Sequence, residues 1–273
     1  MSRIAGCFAA LKEQGRTALV PYIVAGDPDI SVTVPLMHRL VECGADIIEL
    51  GVPFSDPMSE GPVIQLAHER ALGNSVSLRD VIAVVQEFRR ENETTPVLLM
   101  GYANPVERMG YATFADTAAA AGVDALLTVD IPPEEVESVN AELKRVGMDN
   151  IFLVAPTTPD ERVARITEAA SGFVYYVSVK GVTGSGNLDV DDVAKHVALI
   201  RDHTQLPVSV GFGIKDAASA GAVAGVADGV VVGSALVAAM AKVMQTNGDK
   251  EAAMQAVEAL LCDIRKGVDS STS

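Results

Sequence analysis

The chain has 273 residues, 49% of them apolar, and a formal net charge of −15 from 21 basic and 36 acidic side chains. Such a composition can bury a large core and is not that of a disordered chain. It carries no cationic surplus with which to hold nucleic acid or an anionic membrane surface, so an anionic ligand would have to be attracted locally, by backbone N–H groups and helix ends.

Residues 1–15 have an amphipathic helical pattern without the long apolar core of a signal peptide. No uncharged apolar run reaches the ~18 residues that a membrane span requires. Strand-like runs then follow at 17–24, 45–50, 96–102, 124–130, 151–155, 173–179, 207–211 and 229–233. They are nearly continuous hydrophobic stretches, as expected of parallel strands covered on both faces. Helical patterns separate them at 29–41, 78–90, 111–121, 133–145, 158–170, 190–201 and 215–224, and a last one covers about 250–266. Polar caps open several of these helices, and Gly44, Gly122 and Gly147 follow the ends of others. Repeated strand–helix units with right-handed crossovers predict an α/β fold, a closed (β/α)8 TIM barrel with an extra N-terminal helix. An open doubly wound sheet is the alternative. One domain is expected over residues 1–273, with a disordered tail from about residue 268. Cys7, Cys43 and Cys262 are widely spaced without a CxxC pattern. They are expected to be unpaired core or surface residues in a reducing cytoplasm.

Catalytic groups of such barrels stand at the C-terminal ends of the strands. Glu49 follows two isoleucines at the end of the second strand. A carboxylate there reads either as a structural ion pair or as a general acid–base group with a raised pKa. The loop at 51–62 contains Asp56 and Glu60 among glycines and prolines, with Phe54 and Met58 on its surface. It reads as a polar turn, or as a mobile loop bringing a second carboxylate towards Glu49. Glycine-rich turns at 181–186, 211–216 and 233–236 follow the sixth, seventh and eighth strands. Together they match the phosphate site common in this architecture. Tyr22, Met100, Tyr102, Leu127, Val129, Leu153, Tyr175 and Phe212 stand near the same mouth and suggest a flat apolar ligand portion, although most could be barrel core. His38, His68, His196 and His203 fall in helical patterns without metal-site spacing, so no metal is expected. Lys180 raises the option of a Schiff base.

At ELGVPFSDP (49–57), EGPVIQ (60–65), GVTG (181–184), GFGI (211–214) and VVGSA (231–235) the sequence closely resembles the tryptophan synthase α chain family, and the likeness runs from the first helix to the last. The resemblance implies cleavage of indole-3-glycerol phosphate to indole and glyceraldehyde 3-phosphate. It also implies a β chain partner in an α2β2 assembly, which uses the indole with pyridoxal phosphate, while the α chain needs no cofactor. It further implies Glu49 as the acid–base group and Glu60 as the second carboxylate, at a position where familiar members carry aspartate. Tyr175 would line the site and Thr183 would orient the second carboxylate. Gly184, Gly213, Gly233 and Ser234 would cradle phosphate. Asp56, Pro57 and Asn104, together with Phe54 on its exposed loop, would meet the β chain. Val179 and Lys180 depart from the arginine-then-serine pair seen in some members. Two other readings stay open: a barrel enzyme of another reaction, such as a phosphoribosyl isomerase, and a non-catalytic partner subunit. The enzyme that makes indole-glycerol phosphate should carry an early-strand lysine, and the first five strands have none.

Overall fold

A computed structural model describes residues 2–178, 189–211 and 213–271. Its eight strands are β1 (Ala18–Val24), β2 (Ile48–Gly51), β3 (Val97–Gly101), β4 (Ala125–Thr128), β5 (Asp149–Val154), β6 (Val174–Val177), β7 (Val208–Gly211) and β8 (Gly229–Val232). They pair in parallel in chain order, and β8 closes on β1 through Ala18↔Gly229 to Pro21↔Val232. This is the expected TIM barrel. The strands are almost wholly buried, as their uninterrupted apolar runs require.

The outer layer comprises α1 (Ile4–Glu13), α2 (Ile30–Glu42), α3 (Pro62–Gly73), α4 (Leu78–Phe88), α5 (Ala103–Met109) and α6 (Tyr111–Ala121). It continues with α7 (Glu137–Val146), α8 (Asp160–Ala169), α9 (Val190–His203), α10 (Ala217–Ala224), α11 (Ser234–Asn247) and α12 (Lys250–Ser270). Helix α1 covers the N-terminal end of the barrel. Its Phe8 ring meets Phe173 at 5.7 Å, and Arg3 Nη1 lies 2.9 Å from buried Asp124. Asp124 also takes Arg89 Nη2 and the Val97 amide, each at 2.8 Å, so the buried charge is paired and hydrogen-bonded.

The segment at 62–73, for which no bounds were predicted, is a helix around His68, with Pro62 at its first position after the Gly61 cap. Three expectations need correction. Helix α7 begins four residues later than expected, after turns that follow Pro132 and Pro133. The tail does not fray at about residue 268: α12 continues to Ser270 because Ile264 and Val268 are buried. There α12 crosses α10 so closely that a Cβ on Gly267 would collide with the Ala217 carbonyl. Finally, Cys43 and Cys262 form a disulfide joining the end of α2 to α12, and only Cys7 is free. The pairing arises from helix packing and has no signature in sequence spacing.

Candidate active site

The C-terminal mouth of the barrel holds a cavity of ≈ 260 Å³ lined by residues that include Tyr22, Glu49, Glu60, Met100, Tyr175 and Gly233. The barrel register builds its floor. Glu49 is paired with Tyr22 on one side and Leu98 on the other. Its side chain is 1% exposed, and Oε1 has no hydrogen-bond partner among the described residues. Burial, and then the nearby Glu60 carboxylate, push the Glu49 pKa up to about 8. Both causes favour the neutral acid, and among the described residues no cationic side chain pairs with Glu49, so the structural ion pair that the sequence left open is not formed there. The Tyr22 and Tyr175 hydroxyls are held well above their ordinary range, chiefly by burial and then by the same two carboxylates. Both remain neutral hydrogen-bonding groups.

Glu60 arrives on the loop between β2 and α3. This loop, expected to be mobile, is tied at several points. The Ser59 amide donates to Tyr102 Oη at 3.2 Å, and Phe54 stacks on the Tyr102 ring at 4.9 Å. Gln65 Nε2 donates to the Glu60 carbonyl at 2.8 Å. The Phe54 amide donates to His68 Nδ1 at 3.0 Å. His68 on α3 was missed by the sequence reading: its Nε2 lies 2.7 Å from Glu60 Oε2 and 3.4 Å from the Tyr22 hydroxyl. The shorter contact is off the line of a hydrogen bond, so neither Glu60 oxygen has an aligned partner among the described residues. Arg70, farther along α3, makes a two-point contact with buried Asp27 at 2.7 and 2.9 Å and so anchors the helix beyond β1.

On the other side of the cavity stand Gly213, which has φ +76°, and Gly233 with Ser234, which begin α11. Free N–H groups at the start of that 14-residue helix face an anion favourably. A Cβ on Gly233 would press Tyr22 at 3.1 Å, so the glycine permits this close approach.

The cavity thus brings together eight of the expected residues: Tyr22, Glu49, Glu60, Met100, Tyr175, Gly213, Gly233 and Ser234. Tyr102 and Leu127 do not line it. Tyr102 is buried behind the loop it holds, and Leu127 is buried in the barrel core. Ile64, Ile214 and Val231 line it and were not anticipated. Val179, Lys180, Thr183, Gly184 and Phe212 lie outside the described residues. Phe54 is half-buried, Pro57 is buried, and Asp56 and Asn104 are exposed on the outer rim.

A neutral acid facing a second carboxylate, beside apolar walls and a helix N-terminus, places the chain among barrel enzymes that work by acid–base chemistry on an anionic substrate. Comparison with known proteins narrows the class. Residues 8–268 match the family described as "Tryptophan synthase alpha chain". The tryptophan synthase alpha chain of Thiobacillus denitrificans is 58% identical over 272 residues, which cover 100% of this chain and 98% of that protein. That of Marinobacter nauticus is 60% identical over 270 residues, covering 99% of each. The crystal structure of tryptophan synthase subunit alpha from Legionella pneumophila superposes with a TM-score of 0.91 at 43% identity, covering 99% of both chains. The chain belongs to the tryptophan synthase alpha chain family, the lyase subunit that cleaves indole-3-glycerol phosphate to indole and glyceraldehyde 3-phosphate for tryptophan biosynthesis. The α chain requires no cofactor, and pyridoxal phosphate belongs to the β chain.

Proposed function

We propose that Glu49 and Glu60 are the acid–base pair of this cleavage. The observation that carries the reading is the buried Glu49, with Oε1 unpartnered among the described residues, in one cavity with Glu60, where burial and the second carboxylate push its pKa up to about 8. Neutral Glu49 donates its proton to C3 of the indole ring, which becomes an electron sink. The bond between C3 and the side chain then breaks, and its electron pair restores the aromatic ring. Glu49, now a carboxylate, takes the proton of the adjacent hydroxyl as the aldehyde forms. One proton is given and one recovered, so the acid is regenerated. The Glu60 carboxylate faces the indole N–H and offsets the positive charge that grows on the ring. A positioned acid–base group contributes ~10²–10⁴-fold, and the remainder comes from orientation driven by phosphate binding.

In this reading Tyr22, Met100 and Tyr175 contact the substrate, and Gly213, Gly233 and Ser234 hold its phosphate at the start of α11. Thr183, Gly184 and Phe212 complete the substrate contacts. The whole chain acts as one domain. A β chain docks at the rim carrying Phe54, Asp56, Pro57 and Asn104 in an α2β2 assembly, and orders the mouth for turnover. Exposed Met58, 82% accessible on the same loop, supports an interface there. We place the enzyme in the cytoplasm, as a catalyst of amino-acid biosynthesis.

The test is indole release from indole-3-glycerol phosphate, with and without a β chain, beside Glu49→Gln. Release that rises with the β chain and vanishes in Glu49→Gln is expected. Full activity in Glu49→Gln would remove Glu49 from the mechanism, and equal turnover with and without the β chain would remove the ordering effect.

A further inference from the structure

We propose that His68 is a positioning residue for the Glu60 carboxylate, holding Oε2 so that Oε1 is presented to the substrate. The inference rests on the acid–base reading above and adds a residue to it. His68 is 1% exposed and is not among the residues lining the cavity, so it works through Glu60 rather than by touching substrate.

The ring is oriented by its far side. The Phe54 amide donates to Nδ1 at 3.0 Å, and a nitrogen that accepts a hydrogen bond carries no proton in the neutral ring. The ring proton therefore sits on Nε2. That nitrogen is 2.7 Å from Glu60 Oε2 and 3.4 Å from the Tyr22 hydroxyl. Among the described residues Glu60 has no other partner, and both its carboxylate oxygens are buried without an aligned hydrogen bond. A buried carboxylate needs donors, and in a site without ligand such contacts are often loose and tighten when substrate enters. With His68 Nε2–H on Oε2 and the indole N–H on Oε1, both oxygens would be satisfied.

The supports of the histidine agree with this role. His68 lies on α3, eight residues beyond Glu60 and less than two turns into the helix that begins at Pro62. Arg70 fastens α3 to Asp27, while Gln65 fastens the start of the helix to the Glu60 carbonyl. Phe54, which orients the ring, is itself stacked on Tyr102. The loop that meets the rim is thus joined to the Glu60 carboxylate by one imidazole ring.

The two nitrogens can be separated by substitution. His68→Asn keeps an acceptor near the position of Nδ1 but loses the reach to Glu60, whereas His68→Gln keeps a donor near the position of Nε2 but loses the acceptor for Phe54. Indole release should be measured for both variants, each alone and in a Glu60→Gln background, with Tm alongside. We expect His68→Asn to lower kcat roughly 10–100-fold, with KM changed less than about threefold, as for other residues that orient a working group. His68→Gln should recover most of that loss. In the Glu60→Gln background, His68→Asn should cost less than about twofold, because residues acting through one another are not additive. An equal loss in both backgrounds, or a loss that follows Tm alone, would overturn the proposal, since a purely structural histidine behaves in that way. Nitrogen NMR of the labelled histidines supplies a readout without turnover. The His68 ring should be protonated at Nε2, with an Nε2 signal that moves in Glu60→Gln. An unmoved signal would overturn the contact. A parent chain that releases no indole would instead sink the reaction assignment, leaving the spectrum to decide on His68.

Discussion

The Tyr175 hydroxyl occupies the space that a Cβ on Gly211 would take, so the side chain of β6 lies across the bare backbone of β7. The ring is held in the cavity by the absence of a methyl group on the neighbouring strand. Gly211→Ala would therefore force Tyr175 off its position, at a cost of about 1–3 kcal/mol from overpacking. Because Tyr175 lines the cavity, KM for indole-3-glycerol phosphate should rise in the same variant. Gly6→Ala is the control: it lies within α1, with nothing within 4 Å of the added Cβ. It should be neutral or stabilising by about 0.5–1 kcal/mol. Thermal melts and steady-state kinetics of both variants check the claim, and an unchanged KM in Gly211→Ala would remove Tyr175 from the binding surface.

The burial that makes Glu49 a neutral acid also costs stability, in a defined pH window. Its folded pKa is about 8, against an ordinary value of 4.5. Below about pH 4.5 both folded and unfolded chains carry the proton, and the contribution is fully present. Between pH 4.5 and 8 the unfolded chain ionises while the folded chain keeps its proton, so stability falls as pH rises. Above pH 8 the loss levels off. Glu49→Gln lacks this titration, so its Tm relative to the parent should climb from pH 5 to pH 8 by an amount equivalent to a few kcal/mol, then flatten. A Tm difference that is level from pH 5 to pH 9 would contradict the raised pKa. The same proton should give kcat/KM an alkaline limb near pH 8, and Glu60→Gln should move that limb to lower pH by removing a neighbouring negative charge.

The eight strands were legible because each is a nearly continuous hydrophobic run, and Glu49 stood out as a carboxylate directly after two isoleucines at the end of such a run. Residues 62–73 were hidden by the glycines and prolines before them, which mask a helix that Pro62 in fact begins. His68 was read in a helical pattern but weighed only as a metal ligand, because Glu60 lies before the helix and the turn at Gly61 that brings the two together has no sequence period. Tyr102 and Leu127 were misplaced for a related reason. Nearness to a strand end does not fix which way a side chain faces: Leu127 pairs with Met100, yet only Met100 reaches the cavity. The start of α11 was legible from its glycine turn, but its length was not.

Cys43 and Cys262, which are 219 residues apart in sequence, join α2 to α12. Closing so long a loop restricts the unfolded chain, and such links typically add about 2–4 kcal/mol. In oxidised protein, dithiothreitol should lower Tm by roughly 5–15 °C, on the usual scaling of stability to Tm for chains of this size. The double variant Cys43→Ala/Cys262→Ala should melt low with or without reductant. Neither cysteine lines the cavity, so kcat should not respond to reduction. Thiol counting of the unfolded chain by mass spectrometry gives the direct check: one free thiol in the oxidised form and three after reduction. Three before reduction would mean that the sulfurs meet without bonding, as a reducing cytoplasm favours.

Phosphate binding at the start of α11 can be separated from helix stability by a single charge. Ser234 is exposed, occupies the first position of the helix and lines the cavity. Ser234→Asp would put a carboxylate where the proposed site holds the substrate's phosphate. An acidic residue in the first turn of a helix favours the helix itself, by about 0.3–1 kcal/mol. The two effects of one substitution therefore have opposite signs: Tm should hold or rise, while KM for indole-3-glycerol phosphate should increase roughly tenfold or more, equal to about 1.4 kcal/mol of lost binding. Inorganic phosphate should lose its power to inhibit by a similar factor. The alternative is that the glycine turns after β6 and β7 carry the phosphate without α11. Ser234→Asp would then leave both KM and phosphate inhibition unchanged, because the new carboxylate would stand clear of the anion.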